Sequence, residues 1–576
     1  MRMTNKIMRN NSAYNINQNK ILQDKLTNQM TTQSKIVRPS DDPVVAIRAL
    51  RLRSNVTAVT QYNDRNAKDA DQWLGLTADA MLTVDKVLNE LYKQVSISAD
   101  KYETADDLRI LMSQMKQLTA EFYSCANVDY AGRYVFSGYR TDLPVTFTEE
   151  DMKDMKEHPI SFNINETFGF QDISRVNYTG YDTVATIDTN TFPNPPAGIN
   201  DQNSYQQTVK NTTMYRFRIS YNNLDSLGTE VKDQNGNTVS AGRELTFTMP
   251  DGTTVTAKAQ TDANGAVVKD ADGNPVVDVT AVDAAGNAVA APPQVMEFAD
   301  QEQAYKAIAD GTCTGIAYIP TSGEMVFAKD FYDQNFNEAA FKASSTGFQV
   351  NYDKSAWKSG DINPVHYFKC TETKNIAGPG ETPNLKKTAY NTQKDEGRDQ
   401  DIYYDVGYNQ QIQVNSRADE IFTHNVQRDM DDFEHYLKQL EDIETLEADL
   451  LKKQKDYPED SAEYKDLALR LEGVEKAKSY IRENVHTKFE NQITKYQKYM
   501  DDSRVAMTDN ATRRSRLDLI ADRLTNQKTT FKELQQDNEG IDITQVAVEL
   551  TASELTYNAA LMATGKIMQT NLMNFI

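Results

Sequence analysis

Long runs of apolar residues spaced alternately four and three apart, at both ends of the chain, limit the fold more than any other feature of the sequence. After Pro43 the series is Val45, Ala49, Leu52, Val56 and Val59. It resumes at Ala70, Leu74, Met81, Val84, Leu88, Leu91, Val95 and Tyr102, after a polar interval at Asn63 and Asn66. This is the seam of a helix that packs along other helices. The consecutive fours at 66–70–74 predict local unwinding. From 43 to 102 the helix would be a rod of about 90 Å at about 1.5 Å per residue. Such a rod must lie along partners. Asp42 and Pro43, in "VRPSDDPVVAIRAL", supply its cap and first turn.

Thr104, with Asp107 three residues on, opens a second helix carrying Leu108, Leu111, Met115, Leu118, Phe122 and Cys125. A short aromatic strand is expected at Tyr134–Phe136. Helix returns near 417 with Val426, Met430, Phe433, Leu437 and Leu440. Pro458 breaks it, and Ser461 can cap the next segment, which carries Tyr464, Leu467, Leu471, Val474, Ile481 and Val485. Leu517, Ile520, Leu524, Phe531 and Leu534 follow. The last helix carries two series eleven residues apart: Val546, Tyr557, Met568 and Leu550, Leu561, Leu572.

Between about 146 and 404 the texture changes to short alternating segments such as "MYRFRISY". "KDQNGNTV", "TDANGAVV", "KDADGNPVV" and "VDAAGNAV" place Asp and Gly between Val-rich stretches, the chemistry of tight hairpin turns. A calcium loop needs Gly at its sixth position and Glu at its twelfth, and these segments offer neither. The fold class is therefore α+β: long N- and C-terminal helices pairing as a coiled-coil rod, with a large central, mostly-β insertion.

The search for chemistry finds little. The five His (His158, His366, His424, His435, His486) form no His-Glu-x-x-His, and His424 and His435 are about 16 Å apart along a helix. No phosphate loop or Ser nucleophile elbow appears. Cys125, Cys313 and Cys370 show neither a disulfide framework nor metal spacing. No catalytic residue, cofactor site or metal site is expected. A net charge of −22 disfavours nucleic acid, and no run approaches the roughly 18 apolar residues of a membrane span. The start lacks the apolar core of a secretory signal. Residues 1–40 carry a net +6 and residues 537–576 a net −4, which fits either two ends that meet or a solvated basic arm at the start.

Four stretches resemble the flagellin-like family of the bacterial flagellum, and within it the hook-associated junction group. They are "VRPSDDPVVAIRAL" (37–50), "GRYVFSGYRTDLPVTF" (132–147), "DVGYNQQIQVN" (405–415) and "AALMATGKIMQTNLMNFI" (559–576). Together the matching regions are roughly 1–147 and 402–576. The resemblance implies a structural, non-enzymatic subunit of the hook–filament junction. It implies terminal core segments 1–40 and 540–576 that are disordered in the monomer, consistent with eleven Asn or Gln within residues 1–33. A rod of 41–145 with 405–539 and an outward-facing β-rich part at 146–404 complete the domain scheme. A helical hairpin near 440–490 looks added to the family pattern.

The same resemblance implies assembly through Pro39, Ser40, Asp41, Asp42 and Pro43 at the joint. In the last helix it implies Val546, Leu550, Tyr557, Leu561, Met568, Leu572 and Phe575. It implies self-association in a ring, another hook-associated junction protein and flagellin as neighbours, and extracellular placement. Export would use an export chaperone and the type III export apparatus, without a cleaved signal. A filament flagellin is the alternative within the family. A surface adhesin or glycan-binding protein displayed on coiled coils, or a hydrolase housed in the β insertion, would be of another class.

Overall fold

The computed structural model describes residues 5–100, 104–188, 192–193, 205–229, 231–232, 238–240, 243–262, 266–344, 347–377, 384–391 and 401–569. Four helices come first: α1 (Asn5–Thr32), α2 (Pro43–Gln61), α3 (Lys68–Ser98) and α4 (Ala105–Ser124). The β-rich part follows, with α5 (Glu149–Glu157), α6 (Asp182–Ala185), α7 (Gln301–Ala309), α8 (Lys329–Asn335) and α9 (Glu338–Ala343) among its strands. The chain closes with α10 (Asn425–Gln454), α11 (Ala462–Glu539) and α12 (Ile543–Gln569). Helix thus resumes at Asn425 rather than near 417, since residues 418–420 form only a 3₁₀ turn. The chain divides into two compact units: residues 1–74, 403–414 and 512–576, and residues 75–402 and 415–511.

Several local expectations hold. Asp42 Oδ1 accepts the N–H groups of Val44 and Val45, with Pro43 opening α2. Thr104 and Asp107 form a reciprocal capping box at α4. Ser461 Oγ accepts Tyr464 N–H at 3.1 Å before α11. The polar interval at 62–67 is a π-helical turn, Tyr62–Ala67, joining α2 to α3. The expected strand at Tyr134–Phe136 is instead a two-residue hairpin, β1 (Asp129–Tyr130) with β2 (Arg133–Tyr134). Val135 and Phe136 are fully buried, so burial rather than a ladder sets their conformation.

In the second unit the strands are β3 (Ile160–Phe168), β4 (Ile173–Gly180), β5 (Lys210–Arg218), β6 (Val231–Lys232), β7 (Thr238–Ser240), β8 (Glu244–Thr248), β9 (Thr254–Ala259) and β10 (Val277–Val282). Next come β11 (Val295–Glu297), β12 (Ile316–Ile319), β13 (Glu324–Phe327), β14 (Phe348–Lys354), β15 (Lys369–Asn375) and β16 (Leu385–Tyr390). One sheet runs β10-β9-β8-β14-β3-β15-β16 and the other β11-β12-β13-β5-β4. Both line one core, where Phe217 of β5 stacks on Phe348 of β14 at 4.5 Å. Alternation puts Phe162, Ile164 and Phe168 of β3 into that core, and Glu166 with them. Burial pushes the Glu166 carboxyl up to about 7, against hydrogen bonds from Ser220 and Tyr352. Two of the Asp-Gly segments are turns: Asp270 and Asp283 each accept two backbone N–H groups of their own loops, while the Gly-bearing residues of "KDQNGNTV" and "TDANGAVV" lie outside the described residues.

The segment near 440–490 has a partner inside its own unit. The chain turns at 455–461 between α10 and α11, and the first turns of α11 receive the β-rich part. Arg470 donates to the carbonyls of Thr183, Val184 and Thr186 around the end of α6, is held by Asp466 at 2.9 Å, and lies over the Tyr205 ring. Asn484 bonds Asn177, Thr179 and Asn211 on β4 and β5. At Gly473 a Cβ would stand 3.0 Å from both Tyr205 Cβ and Val184 Cγ2, so the helix approaches closely there.

Candidate assembly site

In the first unit α1 and α12 lie against one another. Ser34 bridges Gly540, while Tyr14 and Tyr557 line one groove further along, so the pair is antiparallel. At this level both chain segments break. Val37 and Arg38 donate their N–H groups to Asp41 Oδ2, and these bonds hold the Asp41 carboxyl below its usual range. Asp42 caps α2, and Asp542 caps α12 in the same way through Thr544 and Gln545. Pro39 and Ser40 sit exposed at the tip of the turn between these bonds.

The two breaks are tied together. Lys35 N–H donates to Glu539 O at 2.6 Å, Lys35 Nζ reaches Asp537 O at 3.0 Å, and Asn538 Nδ2 donates to Val45 O. Arg53 grips the Glu539 carboxylate through Nε at 2.9 and 3.0 Å and through Nη2. The joint is therefore a clasp of four segments rather than a lone cap. Arg53 and Glu539, 486 positions apart, carry no local signal that sequence reading could find. A second tie holds β17 (Tyr403–Gly407) and β18 (Gln410–Gln413) on the π-helical turn. There Asn66 donates to Asp405 O at 2.7 Å, Asn63 to Thr525, and Lys528 pairs with Asp64. The polar interval in the heptad series is the seat of this hairpin.

The faces of α12 divide unevenly. Val546 is buried, Leu550 and Tyr557 are half-buried, and Leu561 is exposed. The side chain of Met568, together with Leu572 and Phe575, lies outside the described residues. A second stripe, Val548, Leu555 and Met562, is strongly exposed at strict seven-residue spacing. On α1 the exposed stripe is Ile7, Tyr14 and Ile21, again seven apart. A scan at period seven would have found both; the eleven-residue series drew attention to the other face. Among the described residues, 18 of 26 exposed large apolar side chains belong to this unit, which holds about a quarter of the chain, so the exposed apolar surface is concentrated there.

The second unit carries the most heavily charged interior. Arg216 and Arg218, two apart on β5, reach β13 and α10, where Lys488 of α11 joins them. Arg216 meets Glu324 at 2.5 Å and Asp432 at 2.6 Å; Arg218 meets Asp429 at 2.7 Å and Asp432 at 2.8 Å; Lys488 also meets Asp432. Burial alone would raise the Asp432 carboxyl, but Arg216, Lys488 and Arg218 hold it well below its usual range. Burial pushes Lys488 down to about 8. His424 and His435 are packed within this region, each edge-on to a tyrosine ring (Tyr221 and Tyr305). No helix among the described residues is long and apolar enough to cross a membrane.

Residues 3–141 match the bacterial flagellin N-terminal helical region, so the chain is flagellin-like over its first four helices. Two curated relatives are both named flagellar hook-associated protein 3. That of Escherichia coli K12 is 29% identical over 126 residues, which are 22% of this chain and 39% of the relative. That of Salmonella typhimurium LT2 is 22% identical over 226 residues, 39% of this chain and 70% of the relative. The chain therefore spans well under half the length of the first. Among solved structures, a FlgL of Xanthomonas campestris is 10% identical, with 84% of this chain and 98% of that one covered at a TM-score of 0.24. The flagellar junction protein FlgL from Legionella pneumophila is 11% identical, with 81% and 99% covered at a TM-score of 0.20.

Proposed function

We propose that this chain is a structural, non-enzymatic subunit of the bacterial flagellum that joins hook to filament and assembles through its terminal helices. The observation that carries the reading is the concentration of exposed apolar stripes on a helix pair whose N-terminal member matches flagellin. A monomer gains nothing from leaving Ile7, Tyr14, Leu555 and Met562 in water; an assembly buries them. The names of the two relatives, hook-associated proteins, support a place at the hook. The neighbours in this reading are further copies in a ring, another hook-associated protein and flagellin. It places the protein outside the cell, exported through the type III apparatus with a chaperone covering α12.

The clasp at 33–42 and 537–542 fixes the angle between the terminal pair and the helices that follow, through Pro39, Ser40, Asp41, Asp42 and Pro43. Force passes through such a joint without chemistry. Deleting the gene tests the reading: hooks without filaments, and flagellin lost to the medium, are expected. Normal filaments would overturn it and turn attention to ligand binding by the β-rich part. Removing residues 555–576 is expected to abolish assembly and leave the unfolding transition of the second unit unchanged.

A further inference from the structure

We infer that the stretch of α11 from Gln492 to Ser503 is the section of the second unit that opens first, a seam whose buried polar groups find partners only in water. Its use at a joint under load rests on the function proposed above; the seam itself rests on side chains of this unit alone. Over the preceding turns α11 faces Val474, Ala477, Ile481, Val485 and Phe489 inward, and Phe489 stacks on Phe433 of α10 at 4.3 Å. Asn484, buried among them, is bonded by Asn177, Thr179 and Asn211. The same inward face continues with Gln492, Tyr496, Met500 and Ser503, still spaced three and four apart. Three of these four are polar, while Val505 beside them stands 69% exposed.

Gln492, Tyr496 and Ser503 are at most 1% exposed. Gln492 Nε2 donates to Asp429 Oδ1 at 2.9 Å, and among the described residues no group donates to its Oε1. The hydroxyls of Tyr496 and Ser503 have no partner among the described residues either. Two bonds fix what lies opposite. Gln497 Nε2 donates to Tyr92 Oη at 3.1 Å and Arg504 Nε to Asp85 Oδ1 at 2.8 Å, so α3 runs antiparallel to this stretch. The buried side chains of α3 at that level are Val84, Val87, Leu88, Leu91 and Val95, none with a polar atom. Helix α10, which holds α11 through Asp429 and Asp432, begins only at Asn425. A buried polar group without a bond loses its hydration on closing and regains it on opening. Closing this stretch therefore gains less than closing the apolar stretch before it, and local opening selects the section with least to lose. A subunit that joins two assemblies can yield there while the β-rich part keeps its seat on the earlier turns of α11.

Amide hydrogen exchange of the full-length chain, read by mass spectrometry on peptic fragments, tests the seam. Protection factors over 492–505 are expected to be at least tenfold lower than over 474–489. Tyr496→Phe with Ser503→Ala removes both hydroxyls and little volume. It should raise protection over 492–505 at least fivefold and leave 474–489 within twofold. Thr494→Ala, at an exposed neighbouring position, carries the helix preference of alanine alone and should change protection less than twofold. Equal protection of the two stretches in the wild type overturns the inference. So does a double variant no better protected than the wild type, or one matched by Thr494→Ala. Should the double variant fail to fold, Tyr496→Phe alone reads the same seam, and unchanged protection in it also overturns the inference. Each of these failures leaves the junction function standing; normal filaments in cells without the gene overturn that function and leave the seam.

Discussion

Replacing Asp432 with Asn probes how the β-rich part is held to its helices. Asp432 is 4% exposed and accepts from Arg216, Arg218 and Lys488. Counting groups in direct contact, three cations (Arg216, Arg218, Lys488) meet three carboxylates (Glu324, Asp429, Asp432). The substitution leaves three against two in a site that excludes water. Breaking a buried pair by removing one partner costs about 3–5 kcal/mol, because the remaining charge is stranded. Burial already draws Lys488 down to about 8, and without Asp432 it falls further. Shedding that proton becomes easier, which places the expected loss near the lower bound, about 3 kcal/mol. Trp357 lies in the β-rich core and Trp73 in the other unit, so a Trp73→Phe background makes urea unfolding report the second unit alone. Adding Lys488→Met removes the amine left without its carboxylate and should recover part of the loss, a coupling of about 1–2 kcal/mol in a double-mutant cycle. A loss under about 1 kcal/mol, or no coupling, would refute the Asp432 cluster as a balanced buried network.

Other expectations follow from the same structure. Glu166 has a raised carboxyl, so its contribution is full below about pH 4.5 and lost as pH rises through about 7; Glu166→Gln should stabilise the second unit at pH 8 by about 3 kcal/mol and not at pH 4.5. His366 and His435, held down to about 4 by burial, and His424, held to about 3, act oppositely and remove stability as pH falls below 6.5. Gly473→Val forces a Cβ against Tyr205 and Val184, and should lower the stability of the second unit by about 1–3 kcal/mol in urea. Glu539→Gln weakens the grip of Arg53, costs about 1 kcal/mol, and should speed amide exchange at Lys35, whose N–H bonds Glu539 O.

The sequence by itself determined what is local and periodic. The 3–4 spacing after Pro43, the caps at Asp42, Thr104 and Ser461, and the Asp-Gly turns depend on neighbours within a few residues, so they are read directly from order. The matching terminal stretches and the opposite charge of the two ends were legible for the same reason. Only the tertiary structure decided which stripe of α12 turns inward, because Val546 and Val548 are equally apolar and one helical rotation exchanges them. It alone joined Arg53 to Glu539, and Arg216 to Glu324 and Asp432. It also showed that the helical hairpin at 440–490 seats the β-rich part. Buried ion pairs and helix docking depend on residues hundreds of positions apart, and periodicity along a single chain does not encode which distant face will meet it.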